Sequence, residues 1–244
     1  MNALQIVLVL TVLGGIAYWV QPSIKEYRKI YWAALVMKVS CGVLLGLLYT
    51  YYYQHGDTLA IFGDSQLLTQ VAWEDAGLYL DFLWSSDTAN PALTGFPVRE
   101  PRTLFFTKFV SLVNLLSLNT YAITSVILSA LSFAGAWQLF KAIARYYPGS
   151  SKSASLAFLF VPSVVFWSSG VIKESLAMAC LFYLAAEVVR FYNGSKENSA
   201  MRIIVLLLCI WMLWNVKYFY LGIFLPLAIS LVVSQQLSRF RVNP

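Results

Sequence analysis

The apolar residues of this chain fall into blocks separated by short polar breaks: residues 4–20, 30–52, 121–146, 154–168, 174–191, 203–215 and 218–233. Most blocks approach the length, about 20 residues, that an α-helix needs to cross hydrocarbon. The pattern predicts an all-α polytopic membrane protein of about seven transmembrane helices, forming a single transmembrane domain over residues 1–244. The rhythm is interrupted after Tyr53, where residues 54–120 read as one large loop with juxtamembrane helices inside it. In that loop, residues 58–73 predict a helix, and the following stretch rich in Asp, Ser, Asn and Pro reads as an irregular lid. Pro91, Pro97 and Pro101 prevent it from being one continuous helix. Residues 104–118 are apolar enough to enter the bilayer but carry Lys108 and Asn114, and a span there would invert every later helix. They are expected to form a juxtamembrane helix or shallow dip. Block 203–215 extends only about 20 Å at 1.5 Å per residue, against a hydrocarbon core of roughly 30 Å. Its outer end, with Lys217, is therefore expected in a recess below the membrane surface.

Composition agrees with this reading. The chain is 59% hydrophobic and 11% charged, with a mean hydropathy of +0.69, outside the soluble globular range. Block 4–20 lacks the basic start and small-residue cleavage site of a signal peptide and is expected to be a retained helix. The formal net charge of +6 is distributed over the ends of apolar blocks, which excludes a nucleic-acid partner and sets orientation instead. The clusters are Lys25, Arg28 and Lys29; Lys141, Arg145 and Lys152; Arg190, Lys196 and Arg202; and Arg239 and Arg241. Placing all four in the cytoplasm gives an integral membrane protein with its N-terminus outside and its C-terminus inside. The same placement puts Asp57, Asp64, Glu74, Asp75, Asp81, Asp87, Glu100 and Glu174 outside, eight of the eleven acidic residues. Cys41, Cys180 and Cys209 lie far apart inside apolar blocks, as buried thiols do.

The order of motifs resembles a known family. An outer acidic motif after a span (Gly56-Asp57-Thr58) is followed by a surface helix and a proline-rich loop (Arg99-Glu100-Pro101-Arg102). A second juxtamembrane helix comes next, then paired spans joined by Pro-Ser-x-x-Phe-Trp-Ser-Ser-Gly-x-x-Lys-Glu at residues 162–174. This arrangement is similar to the GT-C superfamily of integral membrane glycosyltransferases, and more narrowly to GT-C-like membrane proteins of the Bacteroidota. The resemblance covers about residues 51–191. It implies a bacterial inner-membrane enzyme moving a sugar from a polyprenyl-phosphate donor to an acceptor on the extracytoplasmic face, with Asp57 as catalytic base. The chain departs from the family in ending soon after the shared module and in carrying a helix before the one that leads to the acidic motif. Those departures keep a second reading open: a non-catalytic membrane subunit whose outer loop holds a membrane protein partner in an envelope assembly or export complex.

The chemistry of sugar transfer from a phosphate carrier needs a base for the acceptor and cations for the departing phosphate. Asp57, beside Gly56 and His55, is the base candidate, and equally an ordinary helix N-cap. Asp64 follows at i+7, close to the same helix face, so the two carboxylates can share a divalent cation, the one cofactor the sequence leaves open. Alternatively Asp64 is a solvated residue on an interfacial helix. Arg99, Arg102, Lys173 and Lys217 are the outer cations suited to phosphate, or else headgroup contacts, with Lys173 and Glu174 forming a simple ion pair. Lys38, eight residues into its block, is either a functional intramembrane charge or a snorkelling one. A transporter would show internal repeats or helices broken near the midplane, and the sequence suggests neither.

Overall fold

A computed structural model describes residues 3–53, 56–85, 96–97, 100–194 and 200–242. His55, Arg99 and most of the predicted lid lie outside the described residues. Among the described residues there is no strand; the elements are α1 (Ala3–Val20), α2 (Lys25–Leu48), α3 (Asp57–Glu74), α4 (Ala76–Ser85), α5 (Pro101–Ser117), α6 (Tyr121–Tyr146), α7 (Ser151–Ser155), α8 (Pro162–Phe166), α9 (Lys173–Tyr192) and α10 (Ala200–Val242). Four helices among them are long and apolar enough to cross a membrane: Lys25–Tyr53, Tyr121–Tyr146, Lys173–Tyr192 and Ala200–Gln235. The chain is thus an all-helical protein suited to a lipid bilayer.

The chain divides into two compact units. Met1–Ala130 with Ser169–Lys173 forms the first. Here α2 and the start of α6 approach through small residues. A side chain at Gly42 would overlap Ser129 Oγ, and one at Gly46 would strike the Tyr121 ring. This Gly-x-x-x-Gly face against Tyr121, Ser125 and Ser129 is the small-residue packing that holds helices together in lipid, where close backbone approach replaces the hydrophobic effect. The turn after α8 joins the same crossing: Gly170, at φ +77°, donates its amide to Ser129 Oγ at 2.9 Å. The rest of this unit is the α3–α4–α5 layer. Leu68, Tyr79, Phe82 and Phe96 form its buried cluster, with the Phe82 and Phe96 rings edge to face at 5.3 Å.

The α4 helix was not anticipated in the predicted lid, although Leu78, Tyr79 and Phe82 carry a helical apolar spacing. Asp75 Oδ1 accepts the Leu78 amide at 2.9 Å and so starts α4. The ammonium of Lys108 donates to the Leu83 carbonyl at 3.1 Å and lies 4.7 Å over the Phe82 ring, tying the end of α4 to α5. Lys108 and Asn114, the residues that made 104–118 awkward as a span, are both buried in this layer.

Leu131–Ser168 and Glu174–Pro244 form the second unit. The predicted block 154–168 is not one helix: α7 runs into a π-helical turn, Leu156–Phe160, and α8 starts at Pro162. Pro162 has no N–H to continue the ladder, which explains the break there. Along α6, Gly135 allows the Ala179 backbone of α9 to approach where a side chain would collide. The apolar stretch of α6 is 67% buried and that of α10 only 17%.

Contacts between α9 and α10 fix a register. Glu174 meets Lys217, the Cys180 and Cys209 thiols are hydrogen-bonded, and Glu187 meets Arg202. As α9 numbers rise, α10 numbers fall, so this part of α10 is antiparallel to α9. Yet Gln235 Nε2 donates to the Tyr192 carbonyl at the end of α9. Arg202 and Gln235 would stand roughly 50 Å apart along an unbroken helix, so the chain reverses between them. The non-helical backbone inside α10 is at Lys217 (φ −148°, ψ 66°). Segments 200–216 and 218–242 are therefore two helices meeting at Lys217, where the sequence placed the boundary between its last two blocks.

Candidate functional site

The start of α3 is built by its glycine. After α2, Tyr49–Tyr53 form a π-helical turn, and the chain enters α3 through Gly56 at φ +156°, ψ 166°, a conformation essentially restricted to glycine. A Cβ there would also lie 2.5 Å from Tyr49 Cε1. Gly56 thus occupies the N-cap position, and Asp57 is the first helical residue and exposed. The expectation of Asp57 as an N-cap is corrected: a residue already inside the helix points its carboxylate away from the amides it would cap. Its charge still favours the helix N-terminus, by about 0.3–1 kcal/mol.

Asp64 is buried, at 8% exposure, which overturns its reading as a solvated surface residue. In the first turn of α3 only Asp57 is exposed, Thr58 beside it is already buried, and the helix continues into the α3–α5 contact. That contact is polar: Asn114 Nδ2 donates to Ser65 Oγ at 2.8 Å, while Asn114 Oδ1 accepts from Thr124 Oγ1 at 2.6 Å. Ser65 donates in turn to the Phe62 carbonyl at 2.7 Å, and Thr124 shares a 2.6 Å bond with Ser117. Each hydroxyl of this Ser65–Asn114–Thr124–Ser117 relay has a partner, as burial in a low-dielectric interior demands. Tyr79 and Ser111 bond at 2.9 Å beside it. Burial pushes the Tyr79 hydroxyl above its ordinary pKa and the Lys108 ammonium below its own.

Asp57 and Asp64 stand about 10.5 Å apart along the helix axis, one exposed and one buried. Among the described residues, no group of three His, Cys, Asp or Glu is arranged to hold a metal ion.

The cations find separate partners. Arg102, in the first turn of α5, pairs with Glu100 at 3.2 Å. Lys173 donates to Thr103 Oγ1 at 2.6 Å, so the first unit brings Lys173 to the first turn of α5, next to Arg102 in sequence. Lys217 pairs with Glu174 at 2.7 Å in the second unit, with its ammonium 5.5 Å over the Phe219 ring. The expected Lys173–Glu174 pair is therefore replaced: adjacent residues at a helix start point in different directions, and each found a partner elsewhere. Lys38 is 5% exposed, so it is a buried charge and not a snorkelling one. The turn Ser168–Ile172, which falls between the predicted blocks 154–168 and 174–191, is irregular and buried. Comparison of the chain with protein-family models, curated proteins and solved structures gives no match.

Proposed function

We propose that this chain is a GT-C-like glycosyltransferase of a bacterial inner membrane, moving a sugar from a polyprenyl-phosphate donor to an acceptor hydroxyl on the extracytoplasmic face. The observation that carries the reading is Asp57: an exposed carboxylate at the start of α3, just past the apolar helix Lys25–Tyr53, pinned by a glycine that tolerates no side chain. In the reaction, the Asp57 carboxylate takes the acceptor proton as the acceptor oxygen bonds to the sugar's anomeric carbon. The bond from that carbon to the phosphate oxygen breaks, and its electron pair leaves with the polyprenyl phosphate. In this reading Arg102 and Lys173 are the cations that receive it. Lys217, already paired with Glu174, serves in this reading to anchor the break in α10.

The proposal includes seven spans, with the N-terminus outside and the C-terminus in the cytoplasm. The reversal at Lys217 supports it, because α10 then supplies two spans, and the basic ends of α6 and α9 support the orientation. A second reading is a non-catalytic subunit holding a membrane protein partner, favoured by the neutralisation of Arg102 by Glu100 and of Lys217 by Glu174.

The test is release of polyprenyl phosphate from radiolabelled polyprenyl-phosphate sugars by the purified protein in nanodiscs, with membrane extract as acceptor source. Turnover that falls by about 10²-fold or more in Asp57→Asn supports catalysis. Unchanged turnover in that variant, or none by wild type, refutes it; co-purification of a stoichiometric membrane protein would then establish the subunit reading.

A further inference from the structure

The α4 helix is apolar on more sides than the fold covers. Ala76–Ser85 carries one charge, Asp81, in ten residues, and at about 15 Å it is half as long as a hydrocarbon core of roughly 30 Å is thick. With 3.6 residues per turn its positions fall on three flanks. Leu78, Tyr79, Phe82 and Leu83 make the first and join the buried cluster around Leu68. Asp81 and Ser85 make the second, which is polar and exposed. Ala76, Gly77, Leu80 and Trp84 make the third, which is apolar and equally exposed, with Leu80 at 63% and Trp84 at 94%.

Water suits the second flank but not the third, and hydrocarbon suits the third but not the second. A boundary between lipid and water suits both at once: a helix lying in that plane sinks its apolar flank among the headgroups and upper acyl chains and keeps its polar flank wet. Tryptophan favours the same depth, because its indole has an apolar body and one N–H donor. The position of the layer agrees. It belongs to the same compact unit as the apolar helix Lys25–Tyr53, and α3 begins at Asp57, just past the end of that helix. The α5 helix has an apolar stripe of its own at 105, 109, 112 and 116, with Leu112 and Leu116 exposed. From residue 54 to residue 98 the sequence holds no Lys or Arg, so attraction to anionic lipid is not what would hold α4 at a membrane. Burial of apolar surface is the force left.

We propose that the Ala76, Gly77, Leu80 and Trp84 flank of α4 is seated in the headgroup–acyl boundary of the bilayer, with Asp81 and Ser85 turned to water. Four side chains on a helix too short to span thus fix the height of the α3–α4–α5 layer at the membrane surface.

The experiment places a nitroxide label at each of four positions, using Leu80→Cys, Asp81→Cys, Trp84→Cys and Ser85→Cys in the full chain in phosphatidylcholine nanodiscs. Collision with oxygen, which concentrates in lipid, is compared with collision with a water-soluble nickel chelate. All four positions are exposed, so the substitutions remove little packing, and the unsubstituted protein treated identically measures any labelling of Cys41, Cys180 and Cys209. Oxygen is expected to dominate at 80 and 84 and nickel at 81 and 85, with the preference reversing between the neighbours 80 and 81. Nickel dominating at all four would put the third flank in water and overturn the proposal. Oxygen dominating at all four would immerse α4 in hydrocarbon, and exclusion of both reagents from 80 and 84 would mean that protein covers the flank; either result overturns it too.

Discussion

The α2–α6 crossing offers a prediction in which two substitutions should cancel part of each other's damage. A methyl at Gly42 would overlap Ser129 Oγ and stand 3.0 Å from Ser125 Oγ and 3.1 Å from the Gly170 nitrogen. Ser129 can yield by rotating, but its oxygen then leaves the Gly170 amide it accepts at 2.9 Å, and a buried N–H without a partner costs about 1–3 kcal/mol. Moving the helices apart instead costs about the same. Alanine recovers ~1 kcal/mol of helix propensity over glycine, so Gly42→Ala should destabilise by a net of up to about 2 kcal/mol. Ser129→Ala orphans the Gly170 amide directly, at about 1–3 kcal/mol. In the double variant the obstacle at Gly42 is already gone, and the propensity gain cancels around the cycle. The coupling energy should therefore equal the cost of the clash, about 1–3 kcal/mol, in the favourable direction. Equilibrium unfolding of the four proteins in mixed micelles of increasing SDS fraction measures it. Additivity within about 0.5 kcal/mol would refute the close approach of α2, Ser129 and the Gly170 turn.

The reversal at Lys217 predicts that single cysteines replacing Arg202 and Gln235 are labelled by a membrane-impermeant maleimide from the same side of sealed vesicles, and Lys217→Cys from the other; labelling of Arg202→Cys and Gln235→Cys from opposite sides would sink it. The Cys180–Cys209 contact predicts that mild oxidation of the wild-type protein forms one intrachain disulfide and leaves Cys41 free, read by thiol counting and peptide mapping. Lys108 titrates below its ordinary pKa in the folded state, so between that lowered value and the unfolded value of about 10.4 the unfolded chain binds more protons and stability rises with pH. Tyr79, raised by burial, acts oppositely, with stability falling as pH climbs past about 10. Lys108→Met should remove the rise in a pH series of unfolding midpoints while the fall remains, and an unaltered profile contradicts the burial assigned to Lys108.

Helix positions were legible where period and composition agree. Block 121–146 is α6 to the residue, and the predicted helix 58–73 differs from α3 by one residue at each end. The boundary before Tyr218 was readable because Asn215 and Lys217 interrupt an apolar run that is too long for one span. What could not be read was pairing. Charge and spacing make Lys173, Glu174 and Lys217 all available, but only the antiparallel register of α9 against α10 assigns Glu174 to Lys217 and leaves Lys173 to Thr103. The burial of Asp64 was hidden for a similar reason. A carboxylate on a helix of mixed composition gives no sign of which of its faces will be covered in the fold.

The same pairings bear on Asp57. Glu174 holds Lys217, Glu187 holds Arg190 and Arg202, Glu100 holds Arg102, and Asp75 starts α4. Each of these acids has a structural task. Glu74 and Asp81 are exposed as well, but Glu74 closes α3 about 25 Å along its axis from Asp57, and Asp81 lies on the outer face of α4. Asp57 differs in being fixed at the chain's exit from an apolar helix, behind a glycine that a side chain would jam against Tyr49. That rigidity predicts a separable defect. Gly56→Ala should reduce turnover by displacing Asp57 while the buried Ser65–Asn114–Thr124 chain, one or more turns deeper, keeps α3 docked and the unfolding midpoint nearly unchanged. If Gly56→Ala instead lowers stability and leaves activity per folded molecule intact, the glycine serves the fold alone, and the placement of Asp57 ceases to argue for catalysis.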